Sequence, residues 1–137
     1  MIKDIVKDPV FLQLPSEKAE REDLQTARDL CDTLAANSDR CVGMAANMIG
    51  VRKTILAAVL SGGITVMINP VIKDHSARSF ETEEGCLSLS GVRKAERYEM
   101  ITVEYTDMKF KKRKCTLRGF EAQIVQHEID HFRGVLI

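Results

Sequence analysis

The segment His127-Glu128-Ile129-Asp130-His131 carries the strongest structural and chemical information in the chain. Residues four apart on an α-helix lie about one turn above each other, so His127 and His131 can offer ring nitrogens to the same cation. Glu128 then lies within reach of a water molecule at that cation. The segment therefore predicts a helix that supplies two ligands and a general base for metal-assisted hydrolysis.

The residues around this segment favour a helix. Phe120, Ile124, Val125 and Ile129 recur at the spacing of one helix face, and no proline interrupts them. Gly134 follows closely and is typical of a helix C-terminus. The alternative interpretation is a solvated helix whose histidines bind no metal.

A third ligand is needed, because catalytic sites of this kind usually take three protein ligands and leave one position for water. Zincins that use a downstream glutamate need a longer chain than one ending at Ile137. The metzincin pattern places its last ligand at Ile137, which cannot bind a metal. The ligand is therefore expected upstream, among the acidic residues, His75 and the four cysteines, which are Cys31, Cys41, Cys86 and Cys115.

Local context separates these candidates. Cys31 lies on the apolar stripe of a predicted helix and is expected in the core. Cys115 lies in a basic, strand-like stretch typical of a buried small side chain, and His75 follows a polar connection typical of the surface. Cys86 stands in Glu83-Glu84-Gly85-Cys86-Leu87-Ser88, where the glycine allows close backbone approach, and it is the favoured ligand.

Three segments together resemble the peptide deformylase family. They are Cys41-Val42-Gly43-Met44-Ala45-Ala46-Asn47-Met48, Glu84-Gly85-Cys86-Leu87-Ser88, and Gln126 to Gly134 around the two histidines, in the order that the family has them. Asn69-Pro70 and Gly91-Val92-Arg93 extend the resemblance over nearly the whole chain. The second and third segments are together highly specific.

The resemblance implies metal-dependent removal of the formyl group from N-formylmethionyl peptides or nascent chains, with release of formate. It implies that Cys86, His127 and His131 hold one divalent ion, Fe(2+) in the cell, with Zn(2+), Ni(2+) or Co(2+) as other possibilities for such a donor set. Glu128 would act as the base. Further residues would serve the substrate: the backbone N–H of Leu87 at the developing oxyanion, and Val42, Gly43, Arg93 and Ile124 in binding. Glu84 and Asp130 would orient a ligand or an arginine, with a solvated surface position as the alternative for either.

Two residues depart from the family pattern. Cys41 replaces the first glycine of the first segment, and Met48 replaces a glutamine whose amide, by resemblance, donates to the oxyanion. A thioether has no donor, and loss of one such donor typically reduces turnover about 100- to 1000-fold. The alternatives are therefore a low-activity or non-catalytic homologue that binds metal and peptide, or an amidohydrolase that acts on another N-acyl group.

Composition limits the range of partners. The 137 residues include 20 basic and 20 acidic side chains, so no global field favours nucleic acid or an anionic membrane. The basic run Lys109–Lys114 is expected to be a solvated hairpin edge rather than a dock for ribosomal RNA. The apolar region 55–68 is split by glycines and too short to span a bilayer, and the charged N-terminal segment is unlike a signal peptide. A cytoplasmic location is expected, where thiols stay reduced.

The pattern of elements predicts a single α+β catalytic domain over residues 1–137. It has an N-terminal helix and antiparallel or mixed sheets packed around the C-terminal metal-binding helix. The N-terminal helix is expected from Pro15-Ser16 to about Asn37, followed by a tight loop at 43–46. Strands are expected at 55–60 and 64–68 around a Gly-Gly turn, near 100–105 and near 114–117.

Overall fold

A computed structural model describes all residues, 1–137. The chain forms three α-helices and seven strands. The helices are α1 (Pro9–Leu12), α2 (Leu24–Ala36) and α3 (Gly119–Phe132), and short 3-10 turns occupy Arg21–Asp23 and Ala46–Ile49. The strands are β1 (Gly43–Ala45), β2 (Ile55–Leu60), β3 (Gly63–His75), β4 (Ser79–Cys86), β5 (Leu89–Tyr98), β6 (Met100–Thr106) and β7 (Lys112–Arg118).

All strand pairs are antiparallel. Five strands form one sheet in the order β1-β2-β3-β6-β7, and β4 pairs with β5 in a separate two-stranded sheet. The α+β class predicted from the sequence is confirmed, as are the hairpin around Gly62-Gly63 and the strands on both sides of the basic turn. Strand β3 is longer than predicted, because a register shift at Asn69-Pro70 lets it continue alongside β6.

The five-stranded sheet is sandwiched between α2 and α3. Strand β2 shows the arrangement most clearly: Ile55 and Ala57 belong to the core beneath α2, while Leu56 and Ala58 belong to the core beneath α3. Because β2 is buried on both faces, its sequence is continuously apolar rather than alternating. Helix α3, which carries His127 and His131, therefore packs on one face of the sheet.

The predicted start of the N-terminal helix is wrong. Residues 16–18 are extended, and Glu17 donates to the carbonyl of Arg52 at 3.0 Å while its own carbonyl accepts from Thr54 at 2.8 Å. These tertiary hydrogen bonds occupy the backbone groups that a helix would use. The helical region begins only after Glu20, whose N–H donates to the carboxylate of Asp23 at 2.8 Å.

Two further expectations need correction. The predicted loop at 43–46 is instead strand β1, which pairs with β2, and a 3-10 turn that follows it. Phe120, expected on the buried face of the terminal helix, is 62% exposed. The β4–β5 hairpin was not predicted, because its sequence is polar and charged and lacks an alternating apolar pattern.

Candidate metal centre

A cavity of about 430 Å³ opens between α3, β1 and the end of β4. Helix α3 contributes His127, Glu128 and Ile124 to its wall, and the β4 end contributes Cys86 and Leu87. His127 and Glu128 are 7% and 3% exposed, so the polar groups of the cavity are largely shielded from bulk water. Charge–charge and ligand–ion interactions are strengthened in such surroundings.

Three potential metal ligands converge at this cavity. The Cys86 sulfur and one ring nitrogen from each of His127 and His131 lie within 4.8 Å of one another. The Cys86 Sγ is 3.5 Å from His131 Nε2, which is 3.2 Å from His127 Nε2. The structure thus brings a mid-chain thiol against both imidazoles of the terminal helix.

The local fold explains this convergence. Cys86 is the last residue of β4, where a short turn leads into β5 and the pairing register shifts next to Gly85. The histidines lie one turn apart on α3, which ends at Phe132 and is followed by Gly134 at φ 75°. Cys41 also lines the cavity but is not part of the three-residue cluster, and its thiol donates to the carbonyl of Gly43 at 2.9 Å.

A buried ion-pair network supports one imidazole. Glu84 accepts from His127 Nδ1 at 2.8 Å and receives a bidentate pair from Arg97, whose Nη1 also donates to Asp130 at 2.6 Å. Burial opposes the charge on Glu84, but the hydrogen bonds from His127 and Arg97 lower the pKa of this carboxyl to about 2. Glu84 is thus a permanent acceptor that directs His127 Nε2 toward the cavity.

Sequence reasoning identified Glu84 and Asp130 as orienting groups but missed Arg97. Arg97 lies on β5 among alternating charged residues, and it is only 5% exposed. The sequence alone does not distinguish this buried arginine from its solvated neighbours, because it does not show which face of β5 packs on α3.

The two histidines titrate differently. Burial lowers the pKa of His127, but Glu128, Cys86 and Glu84 together outweigh it and raise that pKa to about 10. Burial, reinforced by the neighbouring His127 charge, lowers the pKa of His131 to about 3. His131 is therefore neutral and ready to bind a cation, while His127 must release a proton to do so.

Glu128 has the surroundings of a general base. Burial raises the pKa of its carboxyl to about 7, which is suited to accepting and returning a proton at neutral pH. Its Oε1 is buried without a hydrogen-bond partner and lies 4.0 Å from His131 Nε2. A Cβ atom added at Gly43 would come within 2.7 Å of Glu128 Oε2, so glycine is required where β1 passes the carboxylate.

The remaining predicted substrate residues fall into two groups. Val42, Gly43, Leu87 and Ile124 line the cavity, whereas Arg93 does not and donates instead to the carbonyl of Ser90 at 3.3 Å. Arg40, Phe120 and Gln123 line the cavity without having been predicted.

Met48 does not line the cavity. Its side chain is 1% exposed and packs in the core beneath α2. Its sulfur accepts from the N–H of Ala45 at 3.5 Å.

The residues present fit a divalent ion. One sulfur and two imidazole nitrogens form a donor set suited to zinc or iron, and the glutamate beside them is not needed as a ligand. Beside these three residues, Glu128 Oε1 is a buried polar atom without a hydrogen-bond partner. Three protein ligands with a glutamate beside them are typical of the class of single-ion metallohydrolases.

Comparisons with known proteins agree with this class. A family model described as Polypeptide deformylase matches residues 2–137. A peptide deformylase of Clostridium beijerinckii is 54% identical over 137 residues, covering all of both chains.

Solved structures give the same result. A Met-Ala-Ser-bound class I type b peptide deformylase from Acinetobacter baumannii superposes with a TM-score of 0.87 and 28% identity, covering 99% of this chain and 97% of that one. A peptide deformylase from Ehrlichia chaffeensis gives a TM-score of 0.88 at 30% identity, covering 99% and 86%.

The chain belongs to the polypeptide deformylase family, a family of metal-dependent hydrolases that remove the N-formyl group from nascent peptides. The family resemblance drawn from the three motifs is confirmed, and so is the assignment as a hydrolase. None of the helices combines the length and the apolar character that crossing a bilayer requires.

Proposed function

We propose that residues 1–137 act as one catalytic unit in which Cys86, His127 and His131 hold a single divalent ion for deformylation. The observation that carries this assignment is the convergence of the three ligand atoms within 4.8 Å of one another. A divalent ion bound there lowers the pKa of a water molecule and polarises a carbonyl oxygen. The protein contributes the rigid geometry, the dry surroundings and the proton transfers.

Glu128 is the proton carrier in this proposal. Its carboxylate accepts the proton of the water that attacks the formyl carbon, and the same group returns the proton to the leaving amine as formate departs. Burial supports both steps, because it raises the pKa of Glu128 to about 7 and so allows either protonation state at neutral pH. The hydrogen bond from His127 to Glu84 keeps the His127 ring in one orientation during the reaction.

The substrate is an N-formylmethionyl peptide. The Met-Ala-Ser complex of the Acinetobacter baumannii relative supports a peptide in the corresponding cavity. Gly43 on the edge strand β1 offers backbone groups to an extended peptide, while Ile124 and Val42 offer apolar contacts to its first side chain. The backbone N–H of Leu87 is the proposed donor to the developing oxyanion.

Fe(2+) is the proposed ion in the cell, because a mixed sulfur and nitrogen donor set binds it and the family resemblance implies it. Zn(2+), Ni(2+) and Co(2+) suit the same donors. The four cysteines are all free, which supports a reducing compartment such as the cytoplasm. Nascent chains at the ribosome are the proposed source of substrate.

The decisive assay measures formate release from formyl-Met-Ala-Ser by protein loaded anaerobically with Fe(2+). Acetyl-Met-Ala-Ser, tested in the same way for acetate release, represents other N-acyl substrates. We expect formate release and no acetate release. Glu128→Ala should abolish turnover while leaving iron binding intact, and Cys86→Ser should weaken iron binding. Cys115→Ser, on β7 away from the cavity, is the matched cysteine control and should behave as the parent. Acetate release, or formate release unaffected by Glu128→Ala, would contradict the proposal.

A further inference from the structure

Asn47 is a completely buried amide that joins the first motif to the end of the ligand helix. It lies in the 3-10 turn after β1, and its Nδ2 donates to the main-chain oxygen of His131 at 3.2 Å. The same oxygen accepts from the N–H of Gly134 at 3.1 Å. Because a carbonyl oxygen can only accept, the orientation of the Asn47 amide is fixed, with Nδ2 facing α3.

Two buried polar atoms of this residue pair have no hydrogen-bond partner: Asn47 Oδ1 and His131 Nδ1. The other ring nitrogen, Nε2, faces Cys86 Sγ and His127 Nε2. A neutral imidazole that binds a cation through Nε2 carries its proton on Nδ1. A buried N–H left without an acceptor is unfavourable, and histidine ligands usually donate this second N–H to a nearby oxygen.

We propose that Asn47 is a positioning residue for His131. Its Oδ1 accepts the Nδ1 proton of the ring through one buried water molecule, while its Nδ2 holds the end of α3. The proposal rests on the proposed function, because it requires His131 to be a ligand. The competing acceptor is the main-chain carbonyl of Val135, which lies beside the same ring.

This assignment gives the two histidine ligands different supports. His127 is oriented by a carboxylate, Glu84, which is itself held by Arg97. His131 is oriented by a neutral amide from the segment that also carries Gly43 into the cavity. One residue thereby couples the substrate-facing strand β1 to the position of a ligand.

The test is the zinc affinity of the full chain, measured by competition with a chromophoric chelator, for the parent, Asn47→Leu and Asn47→Asp. Leucine removes both the donor and the acceptor, and we expect it to weaken zinc binding about 10- to 100-fold. Aspartate keeps an acceptor but loses the donor, and we expect it to bind zinc more tightly than the leucine variant. Thr33→Val is the control. Thr33 is also a completely buried polar residue, but it lies on α2, and its variant should bind zinc with the affinity of the parent.

A second readout follows the ring itself. In the zinc-bound parent, the Nδ1 proton of His131 should give a slowly exchanging downfield NMR resonance that shifts in both Asn47 variants. If the parent and the leucine variant bind zinc equally well, or if the Nδ1 proton resonance does not shift, the proposal is overturned. The carbonyl of Val135 would then be the acceptor of that proton. Equal losses in the leucine and aspartate variants would overturn it in favour of a purely structural tether. Failure of the parent to bind zinc, or no effect of Cys86→Ser, would instead contradict the proposed function.

Discussion

Glu84 is the residue on which the electrostatics of the site depend. It is 7% exposed and accepts hydrogen bonds from both His127 and Arg97. A carboxylate in such a place is stable only because both neighbours donate to it, since an unpaired buried charge is costly. The motif predicted Glu84 as a supporting group, but only the folded chain supplies its partner from β5.

Arg97→Met should destabilise the protein strongly, because it leaves Glu84 and Asp130 without their shared cation. We expect a loss of about 3–5 kcal/mol in the free energy of unfolding, measured by urea titration. Arg113→Met is the matched control, since its ion pair with Asp107 lies at the surface, where water screens it, and should contribute little to stability. Equal losses in the two variants would contradict the importance of the buried network.

Met48→Gln tests whether the missing amide limits turnover. Met48 itself does not line the cavity, but the core cluster that contains it packs against Cys86 and Leu87 of the cavity wall. The glutamine oxygen can accept the Ala45 N–H bond that the Met48 sulfur accepts now, and its amide then has to turn past that wall to reach a reacting oxyanion. We expect kcat for formyl-Met-Ala-Ser to rise about 100-fold, the typical value of one oxyanion donor. Met48→Leu, which adds no donor, should leave kcat unchanged. An unchanged kcat in a folded glutamine variant would show that another group already fills this role.

At the scale of elements, α3 was predictable and the β4–β5 hairpin was not. The terminal helix combines apolar periodicity, two histidines one turn apart and a glycine stop, so local rules agree there. Strand β4 carries Glu81, Glu83 and Glu84, and only Glu84 is buried, where it accepts from His127 of α3, a residue distant in sequence. Likewise, residues 16–18 have helix-compatible composition but pair with the segment before β2. At residues 16–18, tertiary hydrogen bonds overrode the local propensity, whereas the β4–β5 hairpin lacks an apolar pattern that would predict its strands.

Gly134→Ala tests the junction between α3 and the N-terminal segment. Gly134 has φ 75°, and a Cβ atom there would clash with the carbonyl group of Gln13. Both the left-handed backbone and the backbone clash oppose alanine, so we expect a loss of about 1–3 kcal/mol, measured by thermal or urea unfolding. Gly62→Ala is the control, because its added Cβ meets nothing within 4 Å and should change stability by less than about 0.5 kcal/mol. Similar stability of both variants would refute this account of the junction.

At the scale of the whole molecule, the proposed metal site joins segments that are far apart in sequence. The thiol comes from the β4–β5 hairpin and the imidazoles from α3, which itself packs on the five-stranded sheet. The motifs identified these residues individually, and the family resemblance implied their roles. The buried partners Arg97 and Asn47 and the cavity residues Arg40 and Gln123 depend on tertiary packing, so sequence pattern alone could not supply them.

Metal binding should release protons. In the metal-free protein, Glu128, Cys86 and Glu84 outweigh burial and raise the pKa of His127 to about 10, so its ring is protonated at neutral pH. Lower pH stabilises that protonated, metal-free form, and zinc affinity should therefore rise from pH 7 to pH 9 with release of at least one proton per ion. Calorimetry in buffers of different ionisation enthalpy measures this number. A pH-independent affinity over that range would contradict the assigned environment of His127.

Zinc should also stabilise the fold as a whole. At a free zinc concentration 100 times its Kd, stability should increase by about 2.7 kcal/mol, because the ion binds the folded chain. Thermal unfolding with and without zinc measures this, and Cys86→Ser should show a much smaller increase than Cys115→Ser. Equal zinc-dependent shifts in the two variants would mean that the ion binds elsewhere.

X-ray absorption spectroscopy of the zinc-bound protein tests the coordination sphere most directly. We predict one sulfur at about 2.3 Å and two imidazole nitrogens at about 2.0–2.1 Å around a single zinc ion. The sulfur contribution should vanish in Cys86→Ser and persist in Cys41→Ser, although both cysteines line the same cavity. A zinc shell without sulfur in the parent, or with sulfur still present in Cys86→Ser, would contradict the assignment of Cys86, His127 and His131 as the ligands.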